Sequence, residues 1–93
     1  VSLAEQFGKN LLSARKRGGF SQEELAVRAS LHRTEIGLLE RGERLARIDT
    51  AIKLAGALGL PLASLVVGID WRPGSTQAGA FSFAGSPDGS RGE

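Results

Sequence analysis

Few residues in this chain could do chemistry. There is one histidine, His32, and Glu35 follows three residues later, so the pair would share one helical turn. A metal or catalytic site needs a third ligand or a nucleophile beside such a pair, and none stands at a suitable spacing. The absence of cysteine excludes thiolate metal sites and disulfides. No glycine-rich phosphate loop follows a strand. The chain is therefore read as a non-enzyme with no cofactor and no metal. What remains is cationic. Arg15, Lys16 and Arg17 run consecutively. Cations in the last turn of a helix favour the negative end of its dipole; the same three could instead contact phosphate.

The chain has 93 residues, enough for one small domain. With four phenylalanines, one tryptophan and no tyrosine, its core must be built from Leu, Ile, Val and Ala. Residues 1–68 carry ten Lys/Arg against seven Asp/Glu, whereas residues 69–93 carry two against three. A mild positive excess suits an anionic partner if the cations share a face. The longest apolar run, 58–69, is broken by Gly59, Pro61, Ser64 and Gly68, so no membrane span is predicted. No signal peptide is visible behind Val1, and the cytoplasm is the expected location.

The elements that position these residues follow from periodicity and caps. Leu3, Phe7, Leu11 and Ala14 form one stripe of a helix over 2–16, closed by Gly18 and Gly19. Ser21 opens the second helix with Glu24 as a capping box. Leu25, Ala26 and Ala29 are its buried side, and the small Ala26 admits a close crossing. A turn at 29–31 leads to a third helix from His32 or Arg33 to Arg41, with Ile36 and Leu39 inward. His32 stands at its N-cap, with Glu35 three residues on, although histidine is not a favoured cap. Ile48, Ala51, Ile52, Ala55 and Leu58 form the stripe of a fourth helix over 48–58, and Pro61 begins a fifth over 61–67.

After Gly68 the composition shifts. Residues 71–93 hold five Gly, four Ser and two Pro, the signature of a mobile tail. Within it, Ile69 and Trp71 alternate around Asp70, and Phe81 and Phe83 around Ser82. They predict short strands at 69–72 and 80–84 of a hairpin looping through 72–79. The expected organisation is an all-α domain over 1–68 and a Gly/Ser-rich C-terminal extension over 69–93. A lone hairpin is marginal in water, so Trp71, Phe81 and Phe83 need a surface to pack on.

The stretch Ser21-Gln22-Glu23-Glu24-Leu25-Ala26, then Ala29, Leu31, Ile36, Leu39 and Glu40-Arg41-Gly42, resembles the helix-turn-helix family of phage repressors, Cro proteins and similar bacterial regulators (XRE type). Asp49-Thr50, Leu54-Ala55 and Ala57-Leu58-Gly59 extend the likeness through the fourth helix. The resemblance covers about residues 7–67. It implies a five-helix repressor-like domain that binds double-stranded DNA with its third helix in the major groove. A homodimer on a palindromic site is the expected assembly. It further implies base contacts from Arg33, Thr34, Gly37 and Leu38, and phosphate contacts from Arg17, Gln22, His32, Arg41, Arg44 and Arg47. Arg15 and Glu40 are implied as a structural pair. Ser30 departs from the pattern where glycine is common in the turn, Arg47 where a capping Ser or Thr is usual, and Glu35 and Gly37 are unusual on a DNA-facing helix.

Two surfaces stand outside that motif. The 61–67 helix and the C-terminal aromatic segment are the expected dimer or partner surface, through Leu65, Ile69, Trp71, Phe81 and Phe83. The alternative reading is a protein-interaction module on the same fold, an antitoxin or adaptor that docks a protein partner through those aromatics.

Overall fold

The computed structural model describes residues 1–75 and 78–84. Four helices come first: α1 Leu3–Arg17, α2 Gln22–Ala29, α3 Arg33–Glu40 and α4 Ile48–Leu58. A single 3-10 turn, Leu62–Leu65, leads into two antiparallel strands, β1 Ile69–Arg72 and β2 Ala80–Phe83. Register pairs Ile69 with Phe83 and Trp71 with Phe81. The predicted tail beyond 84 and positions 76–77 of the predicted loop lie outside the described residues.

Helix starts are set locally. Ser21 Oγ accepts from the Glu24 amide at 3.0 Å, and the Glu24 carboxylate accepts from the Ser21 amide at 2.8 Å. Ser2 and Glu5 form a second such box at 3.1 and 2.9 Å, which opens α1. His32 occupies the α3 N-cap without any side-chain cap bond. The box with Glu35 does not form, because the Glu35 carboxylate is turned to Arg44.

All four helices end in one geometry. The residues Gly19, Ser30, Gly42 and Gly59 have positive φ, and each amide bonds back three residues. The next amide in each case reaches back five residues, which is a Schellman closure. Ser30, at φ 57°, is the one non-glycine among them. Phe20, Leu31 and Leu60 follow three of these turns and pack on the core.

The core comprises Phe7, Leu11, Ala14, Leu25, Ala26, Ala29, Ile36, Leu39, Ala51, Leu54, Ala55, Ala57 and Leu65. Two sequence expectations are corrected here. Ile48 and Ile52 are 68% and 55% exposed, while Leu54 is fully buried. The inward arc of α4 is centred on Ala51, Leu54 and Ala55, which leaves the two isoleucines on its flank. The predicted fifth helix is only one 3-10 turn: Val66 leaves helical geometry at φ −118°, and the chain then turns at Gly68 into β1.

Leu65 is fully buried, so it offers no surface to a partner. A buried amide pair holds that end of the fold. Gln6 donates to Asn10 Oδ1 at 3.1 Å, and Asn10 donates to the Leu65 and Val67 carbonyls at 3.1 and 3.0 Å. These bonds tie the entry to β1 onto α1.

Candidate nucleic-acid interface

The site is built on the corner between α2 and α3, and α1 supports it from beneath. α1 crosses the end of α3 at Gly8, where an added Cβ would lie 2.4 Å from the Leu39 carbonyl oxygen and 2.7 Å from that of Glu40. Only a residue without a side chain lets the two backbones approach so closely. That approach brings Arg15 onto Glu40. The guanidinium donates from Nε to Glu40 Oε2 at 2.6 Å and from Nη2 to Oε1 at 3.0 Å, while Nη1 donates to the Phe20 carbonyl at 2.9 Å. The side chains are only 11% and 4% exposed. The Glu40 hydrogen bonds, aided by its charge, raise the Arg15 pKa above the ordinary arginine value against the opposing effect of burial. A raised pKa stabilises the fold at all pH values below the unfolded-state value, so this contribution persists throughout any working pH range.

Gln22, at the first position of α2, joins the pair by donating from Nε2 to Glu40 Oε1 at 2.9 Å. One amide hydrogen is thereby spent inward, and the second remains for a ligand. Arg33 is exposed at the start of α3 and lines a shallow groove with Arg15, Ser21, Gln22 and Glu23. Thr34 is exposed beside it, and Leu38 is half-buried one turn on. Gly37 is buried, with Arg41 Nη1 only 3.0 Å from where its Cβ would stand.

The remaining cations of the connector each face a carboxylate. Arg41 Nε donates to Glu43 at 2.9 Å, Arg44 pairs with Glu35, and Arg47 lies 3.4 Å from Asp49. These pairs are exposed apart from the half-buried Glu35 side chain, and exposed contacts contribute ~0–1 kcal/mol each. A phosphate could replace the carboxylate with little cost to the fold. Arg17 donates to Ser13 Oγ at 2.6 Å and is also exposed. Among the described residues, no cluster of three His, Asp or Glu side chains could hold a metal, and no helix is long and apolar enough to cross a membrane.

Comparison with known proteins decides the family. A helix-turn-helix family model matches residues 11–65. The chain belongs to the helix-turn-helix family of DNA-binding transcription regulators. Within that family, control protein C.SmaI of Serratia marcescens is 39% identical over 66 residues, 71% of this chain and 79% of that protein. The HTH-type transcriptional regulator y4dJ of Sinorhizobium fredii is 34% identical over 77 residues, 83% of this chain and 100% of its own length. The crystal structure of the restriction-modification controller protein C.AhdI from Aeromonas hydrophila is similar at TM-score 0.65 and 37% identity, covering 67% of this chain and 94% of that one. The family match spans α1 from Leu11 to the 3-10 turn at Leu65 and leaves the hairpin outside.

Several supporting residues escape a reading of sequence alone. Gly8 looks like a flaw inside a helix until α3 is placed across it. Gln6 and Asn10 look like ordinary surface amides, although both are buried. Arg28 packs its guanidinium 4.9 Å from the Phe20 ring centroid and donates to the Ala57 carbonyl at 2.8 Å, joining α2 to the end of α4. The one available signal was positional: Gln6 and Asn10 flank the Phe7–Leu11 stripe at a spacing of four.

Proposed function

We propose that the chain regulates transcription as a homodimer on a palindromic site, with α3 lying in the major groove. The observation that carries this reading is the groove where α2 meets α3. There Arg33 stands exposed beside Gln22, and Gln22 is held by the buried Glu40. Arg33 suits a bidentate contact to guanine, worth about 1–3 kcal/mol against a wrong base. Thr34 reaches a base edge or a thymine methyl, and Leu38 adds apolar contact. Gln22, Arg17, His32, Arg44 and Arg47 meet phosphates, which set register without reading sequence. The likeness to C.SmaI and C.AhdI, named as control proteins, supports a regulatory role.

Exposed apolar side chains outside the motif support the dimer. Ile48 and Ile52 share one face of α4, and Leu45 just before them is 53% exposed. A single copy would read one half-site, and two-fold pairing doubles the contacts. Trp71 and Phe81 stack edge-to-face at 5.1 Å and are 55% and 46% exposed, a second surface for a copy or another protein.

Selection from a randomised duplex library tests the reading. Wild type should enrich a palindrome, with affinity falling steeply as salt rises. Sedimentation should give a dimer, and Ile52→Asp should yield a monomer with weaker binding. A strict monomer that selects no duplex but co-purifies with a stoichiometric protein would replace this reading with the interaction module, which the exposed Trp71 and Phe81 would serve.

A further inference from the structure

Positions 33, 37 and 41 fall on one row of α3, spaced four residues apart. Arg33 begins the row, Gly37 is in the middle, and Arg41 caps its end in helical geometry at φ −83° and ψ −1°. Helical side chains lean toward the N-terminus. Arg41 accordingly folds back over Gly37, where Nη1 lies 3.0 Å and Cζ 3.8 Å from the position of a Cβ. Glu43 accepts from its Nε at 2.9 Å. Neither Nη group has a hydrogen-bond partner among the described residues.

We infer that Arg41 is a base-reading residue rather than a phosphate contact, and that Gly37 is glycine to make room for it. An alanine there would favour the helix by about 1 kcal/mol, so the glycine is locally unfavourable. The space it opens is taken by a charged fork whose Nε donates to Glu43 and whose two Nη groups hold no hydrogen-bond partner among the described residues. That arrangement presents donors in one plane, the geometry that guanine O6 and N7 accept. One turn separates Gly37 from Arg33, about 6 Å along the axis or roughly two base-pair steps. Arg33 and Arg41 would then read base pairs about two steps apart in the half-site.

This assignment rests on α3 entering the major groove, so the experiment separates the two ideas. The wild-type preference profile is first measured by selection from a randomised duplex library, then compared with those of Arg41→Lys and Gly37→Ala. Lysine keeps the charge but lacks the planar fork. Arg41→Lys should flatten the preference at one base pair, within about two steps of the one lost in Arg33→Ala, by roughly ten- to a hundredfold. Gly37→Ala should raise Tm by a few degrees and relax the same base pair, because its methyl displaces Nη1. A more stable protein that discriminates less well cannot be explained by damage to the fold. A wild type that enriches a sequence while Arg41→Lys keeps the full profile overturns the Arg41 assignment alone. So does Arg41→Ala weakening all duplexes uniformly with the salt slope lower by about one, the mark of a phosphate contact. A wild type that enriches nothing overturns both readings.

Discussion

Arg15 and Arg47 each face a carboxylate, yet the two pairs belong to different kinds of structure. Arg15 and Glu40 are 11% and 4% exposed, share two hydrogen bonds, and receive a third donor from Gln22. Arg47 and Asp49 are 84% and 57% exposed and meet at 3.4 Å. Charges taken out of water need every hydrogen bond they can make, so the inner pair is rigid and holds three elements in register. Charges left in water lose little by separating, so the outer pairs can exchange a carboxylate for a phosphate. The same residue types thus form a buried scaffold between α1 and α3 and an exposed, exchangeable pair at the start of α4.

The largest effect should come from breaking the inner pair. Glu40→Ala leaves the Arg15 guanidinium buried without its counter-charge and should cost about 3–5 kcal/mol in urea unfolding. A loss below ~1 kcal/mol would make the inner pair equivalent to the outer ones and end the distinction. Gly8→Ala acts on the same pair indirectly. Its methyl would force α1 away from the Leu39 and Glu40 carbonyls, and a loss of about 1–3 kcal/mol is expected from thermal melts. If that variant melts like wild type, the close helix crossing does not set the Arg15–Glu40 geometry.

Smaller changes sharpen the outer side of the comparison. Ser30→Gly should raise stability by about 1 kcal/mol, because Ser30 alone closes a helix in left-handed geometry without being glycine. A drop in stability would mean that the serine side chain contributes at the α2–α3 turn. Asp49→Asn should change stability by less than ~1 kcal/mol while tightening DNA binding at low salt, since it frees Arg47 and removes a negative charge. Fluorescence anisotropy on a fixed duplex would measure this, and weaker binding would show that Arg47 does not face the phosphates.

Much of this was legible in the chain. The Ser21–Glu24 box, the stripe of Leu25, Ala26, Ala29, Ile36 and Leu39, and the stop at Gly42 are local patterns, so periodicity and capping chemistry suffice to read them. The strands at Ile69–Arg72 and Ala80–Phe83 were legible for the same reason, from alternation. The flank of α4 was not. Ile48 and Ile52 read as core because they are large and apolar, and only the placement of Leu54 against the other helices turned them outward. The site shows the same division. Arg33 could be placed on the outer face of α3 from spacing, but the fold of Arg41 over Gly37 could not.

Sequence by itself determined the first four helices, the Ser21–Glu24 cap and the likeness to the family, because periodicity and capping depend on contacts within a few residues. Tertiary structure decided which charges are buried and which are free. Arg15 and Glu40 are 25 residues apart, and Asn10 and Val67 are 57 apart; no local pattern links them. The first partnership follows from α1 crossing α3 at Gly8, and the second from the 3-10 turn packing on α1, where buried charges and amides must satisfy one another.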